Sequence, residues 1–588
     1  PPSFTRYIYN DDRQLTSIAR PDGSTISLSY DAAGRVEAIT APGATITPTW
    51  DASGRVGAMS MGNSSLTYAY DGSLLTGITG SGAIASTLVY GYDTALRPSS
   101  EAINGTSIGF GWDADDLLIQ AGALTLTRDP QNGFLAGTTL GGVTDALTYD
   151  GFGALSTYTA SHAGTAIYSV TYGRDAVGRV NSISENVAGV ARARGYGYDE
   201  AGRLETVVDG TTPIAEYDYD GNSNRLSHSW PGGTNAATYD AQDRLLTYGD
   251  TTYEHSANGE LQSATLAGAT TNYTYDGFGN LRTVDIAGTT SIEYVIDAQN
   301  RRIGKKLNGT LAQGWIYTDQ LRIAAETDGT GAIVSRFVYG TRSNAPDYMI
   351  RNGATYRILS DHLGSPRLVV NTSDGTILQR IDYDEFGNVT SDTNPGFQPF
   401  GFAGGLYDHD TRLLRFGARD YDPRTGRWTA KDPIVFEGGD TNLYGYTWNE
   451  PINWIDPSGL NAFCTLPGRI PPFFRLPSQV ARAQHARGMP RPTPTPRLRP
   501  ATTNRPGQPP NPGSGPTEPT PVQNPTRTQR WLQAGKEGAE AIDEAKSAVE
   551  GFANWLGGVF PFLVRPADVR EQLQQEASQS PGDCGCSI

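Results

Sequence analysis

From its first residues to about residue 300 the chain repeats one unit: an aromatic residue, Asp, two variable positions, Gly, Arg and an aliphatic residue, spaced by about twenty residues. It stands as Tyr30-Asp31-Ala32-Ala33-Gly34-Arg35-Val36, Trp50-Asp51-Ala52-Ser53-Gly54-Arg55-Val56, Tyr198-Asp199-Glu200-Ala201-Gly202-Arg203-Leu204 and Tyr275-Asp276-Gly277-Phe278-Gly279-Asn280-Leu281. Looser copies begin at Tyr9, Tyr70, Tyr92, Trp112, Tyr149, Tyr219 and Tyr239. A period of this kind constrains the fold more than any composition does. Each unit is one supersecondary element, and it buries its apolar face only against its neighbours.

The unit predicts strand, tight turn, strand. The aromatic residue ends one strand and Asp bonds the backbone two residues on. Gly takes the positive φ that closes the turn, and the aliphatic residue opens the return strand. Between turns the text alternates, as in Thr25-Ile26-Ser27-Leu28-Ser29-Tyr30, where Ile26, Leu28 and Tyr30 share a face. With 70 Gly and 30 Tyr against 4 Met, composition favours turn-dense β structure over helix bundles. Periodicity alone leaves a propeller, a solenoid and a winding sheet open, and each Tyr-Asp pair is explained by turn and packing chemistry.

From about residue 310 the units loosen. Tyr356-Arg357-Ile358-Leu359-Ser360-Asp361-His362-Leu363-Gly364-Ser365-Pro366-Arg367 contains an acid and base side by side, Asp361-His362, with no nucleophile nearby. A turn with a half-buried His accounts for it. The stretch from Arg419 to Leu460 is the most specific in the chain. It runs Arg419-Asp420-Tyr421-Asp422-Pro423-Arg424-Thr425-Gly426-Arg427-Trp428-Thr429-Ala430-Lys431-Asp432-Pro433, then Asn442-Leu443-Tyr444-Gly445-Tyr446, Asn449-Glu450-Pro451 and Asp456-Pro457-Ser458-Gly459-Leu460.

With these motifs in order, residues 1–460 resemble the Rhs/YD-repeat family, including toxin-complex C subunits: repeat shells that carry a variable C-terminal cargo. The resemblance implies an all-β fold in which the hairpins wind into a spiralling, hollow sheet, a cocoon, with a partly disordered and partly helical C-terminal segment. It divides the chain into a repeat shell at 1–355, an associated core at 356–460, an Arg/Pro-rich linker at 461–528 and a helical cargo segment at 529–588. In self-cleaving members an Arg and two Asp release the C-terminal segment after the Leu of Asp-Pro-x-Gly-Leu. Carried to this chain, Arg419 holds or polarises the site, Asp432 and Asp456 form the catalytic pair, and Leu460-Asn461 is the cut bond. Such chemistry needs one ionised and one protonated carboxylate. Pro433 and Pro457 would present each Asp from a rigid turn, and Gly459 would let the scissile strand pass close by. From spacing alone both Asp-Pro steps are equally turns, and Asp422-Pro423 is a third such step that competes for the pairing.

The text after Leu460 changes character. No acidic residue occurs from Asn461 to Thr517, while Arg469, Arg475, Arg482, Arg487, Arg491, Arg497, Arg499 and Arg505 punctuate it, with dense proline from Pro490 to Pro525. This is extended linker text, and without interleaved aromatics the Arg run argues against a nucleic-acid partner. A helical pattern comes next, with Thr528 as cap and Leu532, Ala539, Ile542, Ala545, Val549, Phe552, Leu556 and Val559 on its apolar positions. It leads into an apolar run at 559–564, and a second short helix is expected over 566–577. Residues 529–566 are therefore candidates for membrane contact, with packing inside a small domain or against the shell wall as the other explanation.

Of the formal net charge of −16, the part before Asn461 carries 32 Lys+Arg against 52 Asp+Glu, leaving the tail mildly basic. All three cysteines, Cys464, Cys584 and Cys586, lie beyond Leu460, so the repeats need no disulfide. No cofactor or metal is expected, and no enzyme signature stands in the tail. The chain starts in repeat text with Pro1, as a piece of a longer protein would. The function implied is a bacterial toxin-delivery protein, secreted or delivered, whose partners are its own cargo segment and a delivery apparatus, immunity protein or toxin-complex subunit. The cargo is an enzyme or a pore-former. The competing reading is a secreted or cell-surface adhesive body with a spacer tail.

Overall fold

The computed structural model describes residues 4–464. The helical pattern from Thr528, the apolar run at 559–564, and Cys584 and Cys586 lie outside the described residues. From Arg6–Tyr9 to Val389–Asp392, 38 strands form one sheet in which each pairs antiparallel with the strand before and after it in sequence. The meander runs on past residue 356 to Asp392.

Every position of the repeat has a role. In the turn after Tyr30, the Asp31 amide donates to the Arg35 carbonyl and the Gly34 amide to that of Asp31, with Gly34 at φ 78°. Asp31 Oδ1 accepts the amides of Ala33 and Arg35 at 2.9 Å, and Oδ2 accepts Arg35 Nε at 2.8 Å. The aromatic residue reaches back to the previous unit: Tyr30 Oη donates to Leu15 O at 2.7 Å, Trp50 Nε1 to Val36 O at 2.9 Å and Tyr219 Oη to Leu204 O at 2.7 Å. The Arg of one unit lies over the ring of the next, as Arg55 does over Tyr70 and Arg179 over Tyr198, both 4.4 Å from the centroid. At the aromatic residue the register slips, as between Ser29 and Tyr30 or Thr274 and Tyr275; such bulges increase the twist of a sheet.

The twisted meander winds over itself. Arg20 donates to Gly277 O, Tyr90 Oη to Thr318 O, Arg357 pairs with Asp145, Arg367 with Glu185, and Tyr217 Oη bonds Glu385. The separation across this seam falls overall, from 257 residues at Arg20 to 168 at Tyr217, so fewer residues lie between matched positions towards the end of the wall. Along the seam, Ile18, Ile39 and Ile46 pack with Leu281, Val284 and Tyr294, and Leu66, Ile78 and Leu88 with Ile303, Trp315 and Phe337. The result is the all-β spiralling shell that the family resemblance implies, one of the three arrangements the repeats left open.

Residues 400–460 form a plug. A four-stranded sheet, Leu406–Tyr407, Leu414–Phe416, Arg419–Asp422 and Arg427–Trp428, packs around Phe402, Phe416, Tyr421, Trp428 and Tyr446. It is bolted to the wall by buried polar pairs: Lys305 Nζ to Asp408 at 2.7 Å, Arg302 to Asp420 at 2.8 Å, Arg427 Nη1 to Asn224 at 2.9 Å, and Tyr444 Oη to Gly259 O at 2.9 Å. His362 serves here as well. Its Nε2 donates to Ile452 O at 2.7 Å, and burial keeps the ring neutral, while Asp361 accepts the amides of Leu363 and Ser365 in its own turn.

Candidate functional site

The chain enters the site through a hairpin. Trp454–Ile455 pairs antiparallel with Phe463–Cys464, and the loop between them holds Asp456, Pro457, Ser458, Gly459, Leu460 and Asn461. Asp456 anchors that loop: its Oδ1 accepts Ser458 Oγ at 2.9 Å and the amides of Leu460 and Asn461, each at 3.1 Å. Gly459 sits at φ 67°, and a Cβ there would lie 2.5 Å from Phe416 O, so only glycine lets the loop cross the plug strand this closely. The Ala418 amide closes the crossing by donating to Ser458 O at 2.8 Å.

Arg419, on the crossed strand, organises the charges. Its guanidinium stacks 4.2 Å from the Trp428 centroid and its Nε donates to Gly459 O. One nitrogen, Nη2, meets Asp432 Oδ2 at 2.8 Å and Asp456 Oδ2 at 3.4 Å. All three side chains are buried. Asp432 is held from the other side by the Ile434 amide on its Oδ1 at 2.9 Å, and its own amide donates to Leu443 O. Arg419, Asp432, Asp456 and Leu460 thus come together. Asp422 does not: it pairs with Arg424 at 2.9 Å in its own turn.

Between these groups lies a cavity of about 20 Å³, bordered also by Gly438, Asp440, Leu443 and Trp448. That volume admits a single water molecule. Gly438 leaves room on the same side of the cavity for both groups, because the point a Cβ would occupy there is 2.8 Å from Asp432 Oδ2 and 2.9 Å from Leu460 O.

The carboxylates are electrostatically unequal. Burial pushes Asp432 up to about 7 against the pull of Arg419, and the charge of Asp456 adds to the rise. Asp456 is also raised by burial, but Arg419, Ser458 and the two loop amides oppose this. Burial thus raises both acids, and Asp456 has more donors opposing the rise than Asp432 has. Gly438 and Asp440 escaped the motif reading, since the Gly438-Gly439-Asp440 step before Asn442 carries no spacing signal of its own. Among the described residues no cluster of three or more His, Cys, Asp or Glu has metal-binding geometry, and no helix is long and apolar enough to cross a membrane.

A wound antiparallel meander of Tyr-Asp hairpins is the architecture of a YD-repeat β shell. The teneurin YD-shell model matches residues 59–452 and the RHS repeat model residues 5–46, and the chain belongs to this family. Teneurin-3 of Danio rerio is 30% identical over 308 residues, 49% of this chain and 11% of the relative. The tRNA3(Ser)-specific nuclease WapA of Bacillus spizizenii is 27% identical over 265 residues, 43% of this chain and 11% of the relative. The chain thus spans about a tenth of the length of these curated relatives. Among solved structures, the TcdB2-TccC3 crystal structure shares the fold at a TM-score of 0.62 and 16% identity, over 78% of this chain and 28% of that one.

Proposed function

We propose that this chain is a toxin-type delivery shell that cuts itself between Leu460 and Asn461 and retains the severed C-terminal segment as cargo. The observation that carries the reading is the convergence of Arg419, Asp432 and Asp456 on that one peptide bond, around room for one water.

The groups suit aspartyl hydrolysis. Asp456, ionised, takes a proton from the water as its oxygen bonds to the Leu460 carbonyl carbon. Asp432, protonated and lining the same cavity as Leu460, stabilises the oxygen that gains charge, with Arg419 holding both acids in place. As the carbon–nitrogen bond breaks, Asp456 passes its proton to the Asn461 nitrogen, which it already faces at 3.1 Å. The products are a Leu460 carboxyl and an Asn461 amine. At roughly twenty strands per revolution and ~4.8 Å per strand the wall is on the order of 100 Å around, and sheets of that strand number enclose a lumen. A mildly basic tail suits the acidic shell, and the partners of such a chain are its cargo, a delivery machine or toxin-complex subunit, and an immunity protein. Delivery out of the producing cell goes with that role.

The test is the intact mass of the purified chain after denaturation, beside Asp432→Asn and Asp456→Asn. Fragments ending at Leu460 and starting at Asn461 in the parent, with both variants whole, support the proposal. A parent that stays whole with both acids intact overturns it and favours a structural or adhesive body. Liposome leakage caused by residues 461–588 would assign the cargo as a pore-former rather than an enzyme.

A further inference from the structure

We infer that Asp440, which borders the same cavity, is a positioning residue for the cleavage: its negative charge keeps the proton on Asp432. The inference rests on the proposed cleavage and deepens it. Asp440 comes just after the 3₁₀ turn Val435–Gly438 and is half-buried. Its Oδ1 accepts the Asn442 amide at 2.8 Å, and its Oδ2 is 2.7 Å from the point a Cβ at Gly445 would occupy, so the chain is cut back to glycine where the carboxylate sits. Among the described residues Asp440 has no ion-pair partner within 4 Å.

The cleft therefore gathers three carboxylates, Asp432, Asp440 and Asp456, around the Arg419 guanidinium, with Arg427 facing Asp440 from outside it. Fully ionised, the three acids would outnumber the two guanidinium groups by one in a largely buried space, which like-charge repulsion and desolvation disfavour. One proton stays. Asp456 is satisfied as an anion by three donors besides Arg419, and Asp440, though burial raises it, is part-exposed and is held as an anion by the Asn442 amide with Arg427 and Arg419 facing it, so the proton is assigned to Asp432. The charged groups facing Asp432 are Arg419, Asp456 and Asp440, and those facing Asp440 are Arg427 and Arg419. Of the two acids that raise Asp432, Asp456 itself takes up and returns a proton in the reaction. Asp440 is the one free to act only as a charge.

The experiment is the pH profile of cleavage in the full chain, with Asp440→Asn and Asp440→Glu. Loss of the charge moves the alkaline limb down by at least about 0.5 pH unit, slowing cleavage about threefold above neutrality, while the Glu variant keeps the parent profile. The carboxylic C=O infrared band that disappears in Asp432→Asn gives a second reading, independent of cleavage. It too must titrate at lower pH in Asp440→Asn. An unshifted band and limb, or a rate lowered equally at every pH, overturns the inference. A parent that shows the band shift without cutting itself sinks the cleavage proposal and leaves the role of Asp440 in holding the proton standing.

Discussion

Asp456 Oδ1 accepts the amide of Asn461 at 3.1 Å, so the carboxylate touches the nitrogen that leaves if the chain breaks after Leu460. The same atom holds the preceding amide of Leu460, also at 3.1 Å, which fixes the scissile peptide on both sides before any reaction begins.

Replacing Asp456 by Asn removes both the base and the proton donor. Cleavage falls by at least about a hundredfold, while the far-ultraviolet circular dichroism of the shell is unchanged. Denaturing mass spectrometry over a time course reads this directly, and fragments accumulating at the parent rate would refute the assigned role.

Gly438→Ala places a methyl group against Asp432 Oδ2 and Leu460 O. The turn that carries it must shift, widening the gap between acid and carbonyl, so cleavage slows at least about tenfold with little change in melting temperature. A variant as fast as the parent would show that these two oxygens need not approach.

The pH dependence has a definite sign. Cleavage requires Asp432 protonated, and its pKa is pushed up to about 7, so the rate declines as pH rises through that value. The same protons stabilise the fold. Asp432, Glu101 (pushed to about 7) and Glu450 (pushed to about 8) hold protons that an unfolded chain has already released. Their stabilisation is therefore present at low pH and is lost as pH climbs from the ordinary carboxyl range towards 8. The melting temperature is expected to be lower at pH 8.5 than at pH 6, and Glu450→Gln should flatten part of that slope.

Asp297 and Arg301 form the most deeply buried of the repeat-turn ion pairs, with side chains 2% and 5% exposed. Asp297→Ala strands the guanidinium and two turn amides, which costs about 3–5 kcal/mol. The equivalent Asp31→Ala, in an open turn, lowers the urea midpoint less. Urea midpoints of the two variants separate the effects.

The turn chemistry was legible in the sequence because it is local: Asp31 spends all its bonds within four residues. The alternation of Ile26 and Leu28 likewise declared which face is buried. The seam was not legible, since Arg20 finds Gly277 only after a full turn of the sheet, and nothing in either hairpin names the other. The site divides along the same line. Arg419, Asp432 and Asp456 stood in a long recognisable run, whereas Gly438 and Asp440 matter through proximity alone. Asp422 looked equivalent to them by its Asp-Pro step, and only the fold turns it towards Arg424 instead.

The shortening of the spiral from 257 to 168 residues between matched positions fixes where this shell can change length. One hairpin inserted between Arg20 and Tyr217 would lengthen every seam pair that spans it, putting Arg20 out of phase with Gly277, while pairs lying wholly beyond the insertion keep their separation. Units added ahead of Arg20 disturb no such correspondence. Each seam pair is thus a ruler on the length of wall between its two partners.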